Sequence, residues 1–301
     1  MKQAESGFAS HRRMLLFSLC CCAAGGWRMA WAQSAFAGQD VVRRYEGGRF
    51  RVEYRYGYEI LDDALQHSVT RYGPYKIEPV ATEMSENRLR QEVLKGDLVN
   101  VMVHNADYRD LNEELTAIDI PLEKGLQGYR VGLIRATDQG RINQVRDIGS
   151  FRQLQIGAGE QWSDVKVYRE NGILPVTAKS YESLMQMLEH GRFDLFPRAA
   201  TGILAEYDNF KGKYPSLGID QHLLLYWPSA KYIYVSKSAP RLAERIRYGL
   251  EEMQKDGSFD RRFEEYASQV IAELDFPHRT VIELENPLLP SWARVPRLEW
   301  R

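Results

Sequence analysis

The sequence GAGEQWSD at residues 157–164 lies between a predicted strand, Gln153–Ile156, and a predicted helix from about Ser163 to Glu170. Glycines allow a tight turn at such a junction. The first backbone N–H groups of a helix lack intrahelical partners, so the turn suits an oxyanion or a carboxylate. The alternative is that the glycines only permit the turn and Ser163 caps the helix.

Short β-rich runs alternate with helical patterns on both sides of this turn. The predicted strands before it are Phe50–Tyr54, Tyr75–Val80, Leu98–Val103 and Arg130–Ile134. Those after it are Leu174–Thr177, Phe193–Phe196, Leu223–Trp227 and Lys231–Ser236. Amphipathic helical patterns lie between them, and the strongest begins at Pro240. This order predicts an α/β fold with two units, each a mostly parallel sheet flanked by helices.

The repeated β-α rhythm predicts two lobes, the second inserted into the first. We expect lobe 1 to comprise 33–137 and 230–301, and lobe 2 to comprise 138–229. The hinge would be two extended crossings near 136–140 and 228–230. Ligands of such sheets bind at the carboxyl ends of strands, here in the cleft between the lobes.

Further motifs accompany the turn at 157–164. They are Gly125–Arg130, Tyr181–Leu184, Gly191–Arg198, Asp256–Phe259 and Asn286–Pro290. With them, nearly all of the chain after residue 32 resembles the periplasmic substrate-binding-protein superfamily of type II topology. The likeness is greatest to a stand-alone solute-binding-protein-like branch of Gram-negative bacteria. The resemblance implies a small-molecule ligand, and a membrane permease or a sensor kinase as partner.

Two positions depart from the amino-acid-binding members of that superfamily. Those members typically hold the ligand carboxylate with an arginine in lobe 1 and the ammonium group with an aspartate in lobe 2. Here Glu114, or its neighbour Glu113, stands near the arginine position, and Pro197-Arg198 replaces the acidic residue. The resemblance therefore implies a small polar ligand, anionic rather than a zwitterionic amino acid.

The N-terminus has the features of a secretory signal. Arg12 and Arg13 precede the apolar run Met14–Ala24, and Ala30-Trp31-Ala32 is a small-x-small cleavage motif. We expect cleavage after Ala32 and a periplasmic location. A membrane anchor is the alternative, although the apolar run is shorter than the roughly 20 residues that span a bilayer. Twin-arginine export and lipid attachment at the cysteines are further alternatives.

Composition excludes several function classes. All three cysteines stand at 20–22, so the mature chain would have neither disulfides nor thiolate chemistry. The net charge of −1 gives no basic excess for binding nucleic acid. Nucleophile-elbow, phosphate-loop and His-Glu-x-x-His motifs are missing from the sequence. We expect a monomer that is not an enzyme and needs no cofactor.

Ten residues near the predicted cleft are candidates for ligand binding. They are Tyr54, Tyr56, His104, Asn105, Arg130, Gly159, Gln161, Trp162, Ser163 and Arg198. Either arginine could pair with an anionic ligand, Arg130 could instead form a salt link between the lobes, and the aromatics could be ordinary packing. The histidines are scattered, so no metal site is expected. The competing function is an accessory or signalling module that binds no solute tightly.

Overall fold

The computed structural model describes residues 39–47, 54–106 and 109–300 of the 301-residue chain. The predicted signal segment and its cleavage site lie outside the described residues. So does the predicted strand Phe50–Tyr54 apart from Tyr54, which lies immediately before a helix rather than at a strand end. The described residues from 40 onward form one compact unit with β-sheets and packed helices.

The first sheet has five strands. They are β1 (Asp40–Tyr45), β2 (Tyr75–Val80), β3 (Val101–Asn105), β4 (Leu115–Ile118) and β11 (Lys231–Ser236). Their order across the sheet is β2-β1-β3-β11-β4. β1 runs parallel to β2 and β3, whereas β11 runs antiparallel to β3 and β4. The chain returns to this sheet at β11 after forming a second sheet, and its direction there opposes that of its neighbours.

Helices cover this first sheet. They are α1 (Arg55–His67), α2 (Val69–Tyr72), α3 (Glu86–Lys95), α4 (Arg109–Glu114) and α10 (Pro240–Lys255). α1 and α10 pack closely at Gly249. A Cβ at this position would lie only 1.9 Å from the carbonyl oxygen of Ala64. α3 ends at Gly96, whose φ of 79° is the left-handed conformation that glycine adopts at low cost.

The second sheet is built from strands that lie further along the chain. They are β5 (Tyr129–Arg135), β8 (Phe196–Ala199), β9 (Leu217–Ile219), β10 (Leu223–Tyr226) and β12 (Thr280–Glu283). The order is β12-β10-β5-β8, and β9 pairs with β5 at one end. β6 (Gly157–Gly159) and β7 (Val176–Ala178) form a separate parallel pair. The fold class is confirmed, but the expectation of mostly parallel sheets is corrected: β5 is antiparallel to β8, β9 and β10.

The helices of this second part are short, except for the last. They are α5 (Gln139–Ile142), α6 (Ile148–Phe151), α7 (Asp164–Glu170), α8 (Tyr181–Glu189), α9 (Ile203–Phe210) and α11 (Ser258–Glu273). Two buried clusters lie around the second sheet, and a third underlies the first sheet. We call the regions around the first and second sheets lobe 1 and lobe 2.

The C-terminal segment differs from the expectation that all of 230–301 belongs to lobe 1. β12 joins the second sheet, and Phe263 and Val270 of α11 are buried in a lobe 2 cluster. α11 thus packs against both lobes, because Phe259 at its start is buried in the lobe 1 cluster. The tail after β12 contacts both lobes, since Trp292 packs on the lobe 1 cluster and Trp300 on a lobe 2 cluster.

Candidate functional site

A cavity of about 490 Å³ lies where the two lobes meet, and we call it the inter-lobe cavity. Lobe 1 and its return strand contribute three lining residues: Arg55 and Tyr56 at the start of α1, and Lys231 at the start of β11. Gln127, just before β5, lies at the crossing into lobe 2. The remaining lining residues are Tyr181, Arg198, Ala199, Thr201, Gly202, Ala205, Glu206, Asn209, Phe210 and Tyr266.

Arg198 is held on one side of this cavity by Glu206. Its Nε donates to Glu206 Oε2 at 2.6 Å and its Nη2 donates to Oε1 at 2.9 Å. The Tyr181 hydroxyl donates to the same carboxylate at 2.5 Å, and burial raises the pKa of that hydroxyl. The guanidinium also lies 4.5 Å from the ring centroid of Trp162. A two-point ion pair with aromatic stacking fixes Arg198 in place.

Lys231, which lines the cavity, forms a buried ion pair with Glu123. Lys231 Nζ lies 2.9 Å from Glu123 Oε1, and the side chains are only 2% and 1% exposed. Lys231 Nζ also lies 5.3 Å from the ring centroid of Tyr54. The other carboxylate oxygen, Glu123 Oε2, is buried without a hydrogen-bond partner among the described residues.

Two more unpaired polar atoms belong to residues that line the cavity. Tyr56 Oη and Gln127 Oε1 are buried and have no hydrogen-bond partner within the described part of the chain. The Tyr56 ring stacks on Tyr266 with centroids 4.1 Å apart. Burial, and then the charge of Glu123, raise the pKa of both tyrosines. The cavity wall therefore carries uncompensated hydrogen-bonding capacity.

The predicted glycine turn is corrected: Gly157–Gly159 is strand β6, and the chain turns only after it. The end of β6 and this turn line a second hollow of about 620 Å³, outside the inter-lobe cavity. Gly159, Gln161 and Trp162 contribute to its wall, and Tyr181 lines both hollows. Trp162 stacks on Phe196 of its own lobe, with centroids 5.9 Å apart. Ser163 precedes α7 but makes no side-chain capping bond that the described residues show, so its predicted alternative role as a cap is wrong.

Arg130 lies apart from both hollows. It is 3% exposed, and Nη1 donates to the carbonyl of Gln127. Its guanidinium lies 4.2 Å from the ring centroid of Trp227, and Nε lies 3.8 Å from Asp164 Oδ2. The expected salt link between lobes is corrected, because β5 and α7 both belong to lobe 2. Packing under Trp227 holds the side chain inside that lobe.

Three further candidates lie next to one another rather than on the cavity wall. His104 is buried, stacks on Tyr54 with centroids 5.7 Å apart, and pairs across the sheet with Tyr232. Asn105 follows it at the end of β3. In the described ranges no cluster of three or more possible metal-ligating side chains occurs. Of the ten candidates, the structure places only Tyr56 and Arg198 on the inter-lobe cavity.

Sequence reasoning missed most of the residues that line this site, among them Gln127, Lys231 and Glu206, and it also missed Glu123, the partner of Lys231. A charged residue opening the aromatic strand Lys231–Ser236 was a signal for a buried partner, because an isolated charge is rarely buried. Its partner stands 108 positions earlier in the chain. Glu206 follows Arg198 by eight residues, and only the turn between β8 and α9 brings them together.

Solved structures resemble this arrangement in fold. An ancestral arginine-binding protein bound to arginine matches with a TM-score of 0.51 and 16% identity, over 76% of this chain and 98% of that one. An ancestral arginine-binding protein bound to glutamine matches with a TM-score of 0.52 and 14% identity, also over 76% of this chain and 98% of that one. The fold is that of a type II periplasmic binding protein. At such identity the likeness concerns the fold and does not identify a ligand.

Sequence comparisons add nothing to this assignment. No protein-family model matches the chain, and no curated protein matches it. Among the described helices, none combines the length and the apolar character needed to cross a membrane.

Proposed function

We propose that this protein is an exported solute-binding protein that closes its lobes on a small polar molecule and delivers it to a membrane transporter. One observation carries the proposal: a cavity of about 490 Å³ with walls from both lobes and buried polar atoms left unpaired. Small-molecule sites commonly have volumes of about 300–1,000 Å³ and few, well-placed polar groups. Binding requires no covalent step. A sensor kinase is the alternative membrane partner.

Closure would couple binding to that partner. The lining residues belong to different lobes, so a ligand that contacts both favours the closed arrangement over an open one. The first crossing precedes β5 and does not lie near 136–140 as predicted, because β5 already belongs to the second sheet. This crossing and the one just before β11 would act as the hinge. A transporter could then distinguish the liganded protein by the relative position of its lobes.

The charge pattern alters the ligand expected from the sequence. An anionic ligand was expected to pair with Arg130 or Arg198. Arg198 already holds Glu206 through two hydrogen bonds, and Arg130 is buried beneath Trp227. These contacts favour a polar ligand without net negative charge.

Thermal unfolding tests the function. The purified protein would be refolded to remove bound solute and heated with amino acids, amines, sugars, dicarboxylates and phosphonates. A solute at 100 times its Kd stabilises the native state by about 2.7 kcal/mol. For a chain of this size that corresponds to a Tm increase of roughly 5–10 °C.

A cavity variant makes the test specific. Ala205→Trp places a large side chain in the cavity wall and should abolish the shift. Leu174→Trp, at a side chain that is 81% exposed, is the matched control and should retain it. If the whole panel leaves Tm unchanged, the fold serves as an interaction module without a tightly bound solute.

A further inference from the structure

The cations on the cavity wall are already neutralised. They are Arg55, Arg198 and Lys231. Their carboxylate partners lie at 3.7, 2.6 and 2.9 Å: Glu59 for Arg55, Glu206 for Arg198 and Glu123 for Lys231. A ligand carboxylate placed here would have to displace one of these internal partners. Where the ion pair is buried, as at Lys231, displacement would leave a glutamate without a compensating positive charge.

The unpaired atoms at this site are mainly hydrogen-bond acceptors. Gln127 Oε1 and Glu123 Oε2 accept hydrogen bonds, and the Tyr56 hydroxyl can also accept one. Gln127 and Tyr56 line the cavity, whereas Glu123 does not line it and pairs with Lys231 through one of its two oxygens. A buried acceptor without a donor is unfavourable, so the complementary ligand group is a hydrogen-bond donor, such as the N–H of an amine.

Aromatic walls suit the same kind of group. Tyr56 stacks on Tyr266, and Tyr181 stacks on Phe210 with centroids 5.2 Å apart. All four rings border the cavity. The faces of such rings attract organic cations, and the attraction grows when water is excluded.

We infer that the inter-lobe cavity takes a small organic amine or guanidine that carries no carboxylate, with its protonated nitrogen donating to the oxygens of Gln127 and Tyr56. This inference rests on the proposed solute-binding function and assigns its ligand class. It also accounts for one of the two departures from amino-acid-binding proteins, the missing lobe 1 arginine, because a ligand without a carboxylate needs no unpaired arginine.

Titration calorimetry with three related probes tests the ligand class. Agmatine has a guanidinium and an amine, arginine adds a carboxylate, and 4-guanidinobutyrate has the carboxylate but no amine. Agmatine should bind at least tenfold more tightly than arginine, and 4-guanidinobutyrate should bind weakest. Equal or tighter binding of either carboxylate would overturn the inference.

Variants locate the site. Gln127→Met and Tyr56→Phe keep the volume and the ring stack but remove acceptor oxygens. Each should weaken agmatine binding roughly tenfold to a hundredfold, as expected for a hydrogen bond to a charged group. Gln269→Met and Tyr248→Phe make the same changes away from the cavity and should leave the affinity unchanged. Unaltered affinity in both cavity variants would refute the placement.

The outcome also separates this inference from the proposed function. If agmatine and the other amines do not bind while a sugar, dicarboxylate or phosphonate does, the ligand class is wrong and solute binding stands. If no solute of any class binds, the proposed function fails together with the inference.

Discussion

Replacing Lys231 with methionine should strongly destabilise the protein. The substitution keeps most of the side-chain volume but leaves Glu123 charged, 1% exposed and without the ammonium group that now lies 2.9 Å away. Breaking a buried ion pair by removing one partner costs about 3–5 kcal/mol. Removing both partners, in Lys231→Met with Glu123→Leu, should restore stability to within about 1 kcal/mol of the natural protein, because no buried charge remains.

Urea unfolding measures the coupling energy between Lys231 and Glu123. The four proteins compared are the natural protein, Lys231→Met, Glu123→Leu and the double variant. The exposed pair Lys255–Glu252 offers a matched control, and Lys255→Met should leave stability unchanged because water solvates both groups. A cost below about 1 kcal/mol for Lys231→Met would refute the reasoning, since it would mean that water reaches Glu123.

Three further predictions concern packing and pH. Gly249→Ala should cost about 1–3 kcal/mol, measured by urea unfolding, because its Cβ would meet the Ala64 carbonyl; a neutral result would contradict the close helix packing. The Arg247 hydrogen bond lowers the pKa of Asp119, so the pair stabilises the fold above the ordinary carboxyl range and loses this effect as pH falls through the lowered pKa. Both groups are exposed, so Asp119→Asn should cost less than about 1 kcal/mol at pH 6, and the cost should decrease as the pH is lowered towards 2; a pH-independent difference would be inconsistent with this origin. Trp300→Ala should lower Tm, because the ring packs on two buried aromatic side chains of lobe 2; an unchanged Tm would show that the tail does not support that core.

Regular elements with strong patterns could be predicted from the sequence. The strands Tyr75–Val80 and Lys231–Ser236 have the predicted limits, because apolar or aromatic residues alternate along each of them. The start of the strand after Gly191 was less well defined. β8 begins at Phe196, where the predicted strand ended, so Arg198 lies within the strand rather than after it.

Neither the strand directions nor the contacts of the site could be predicted from local patterns in the sequence. The antiparallel pairing of β5 follows from its partners, which come from distant parts of the chain. Likewise, Arg198 looked available for an anion because nothing in the sequence near it reveals that Glu206 faces it. Lys231 and Glu123 meet only after the return strand has joined lobe 1. Charge balance within a cavity depends on tertiary contacts. Isolated residues in the sequence therefore could not predict the ligand class.

A solute bound in the inter-lobe cavity should bring the two lobes together, and an electron-spin distance measurement tests this closure directly. Spin labels would be attached at Leu98→Cys in lobe 1 and Leu174→Cys in lobe 2, both exposed positions, with Cys20–Cys22 replaced by serine. Saturating agmatine, or the solute that gives the largest thermal shift, should narrow the distance distribution and shift its mean. A distribution that stays the same while calorimetry shows the solute bound would contradict the account.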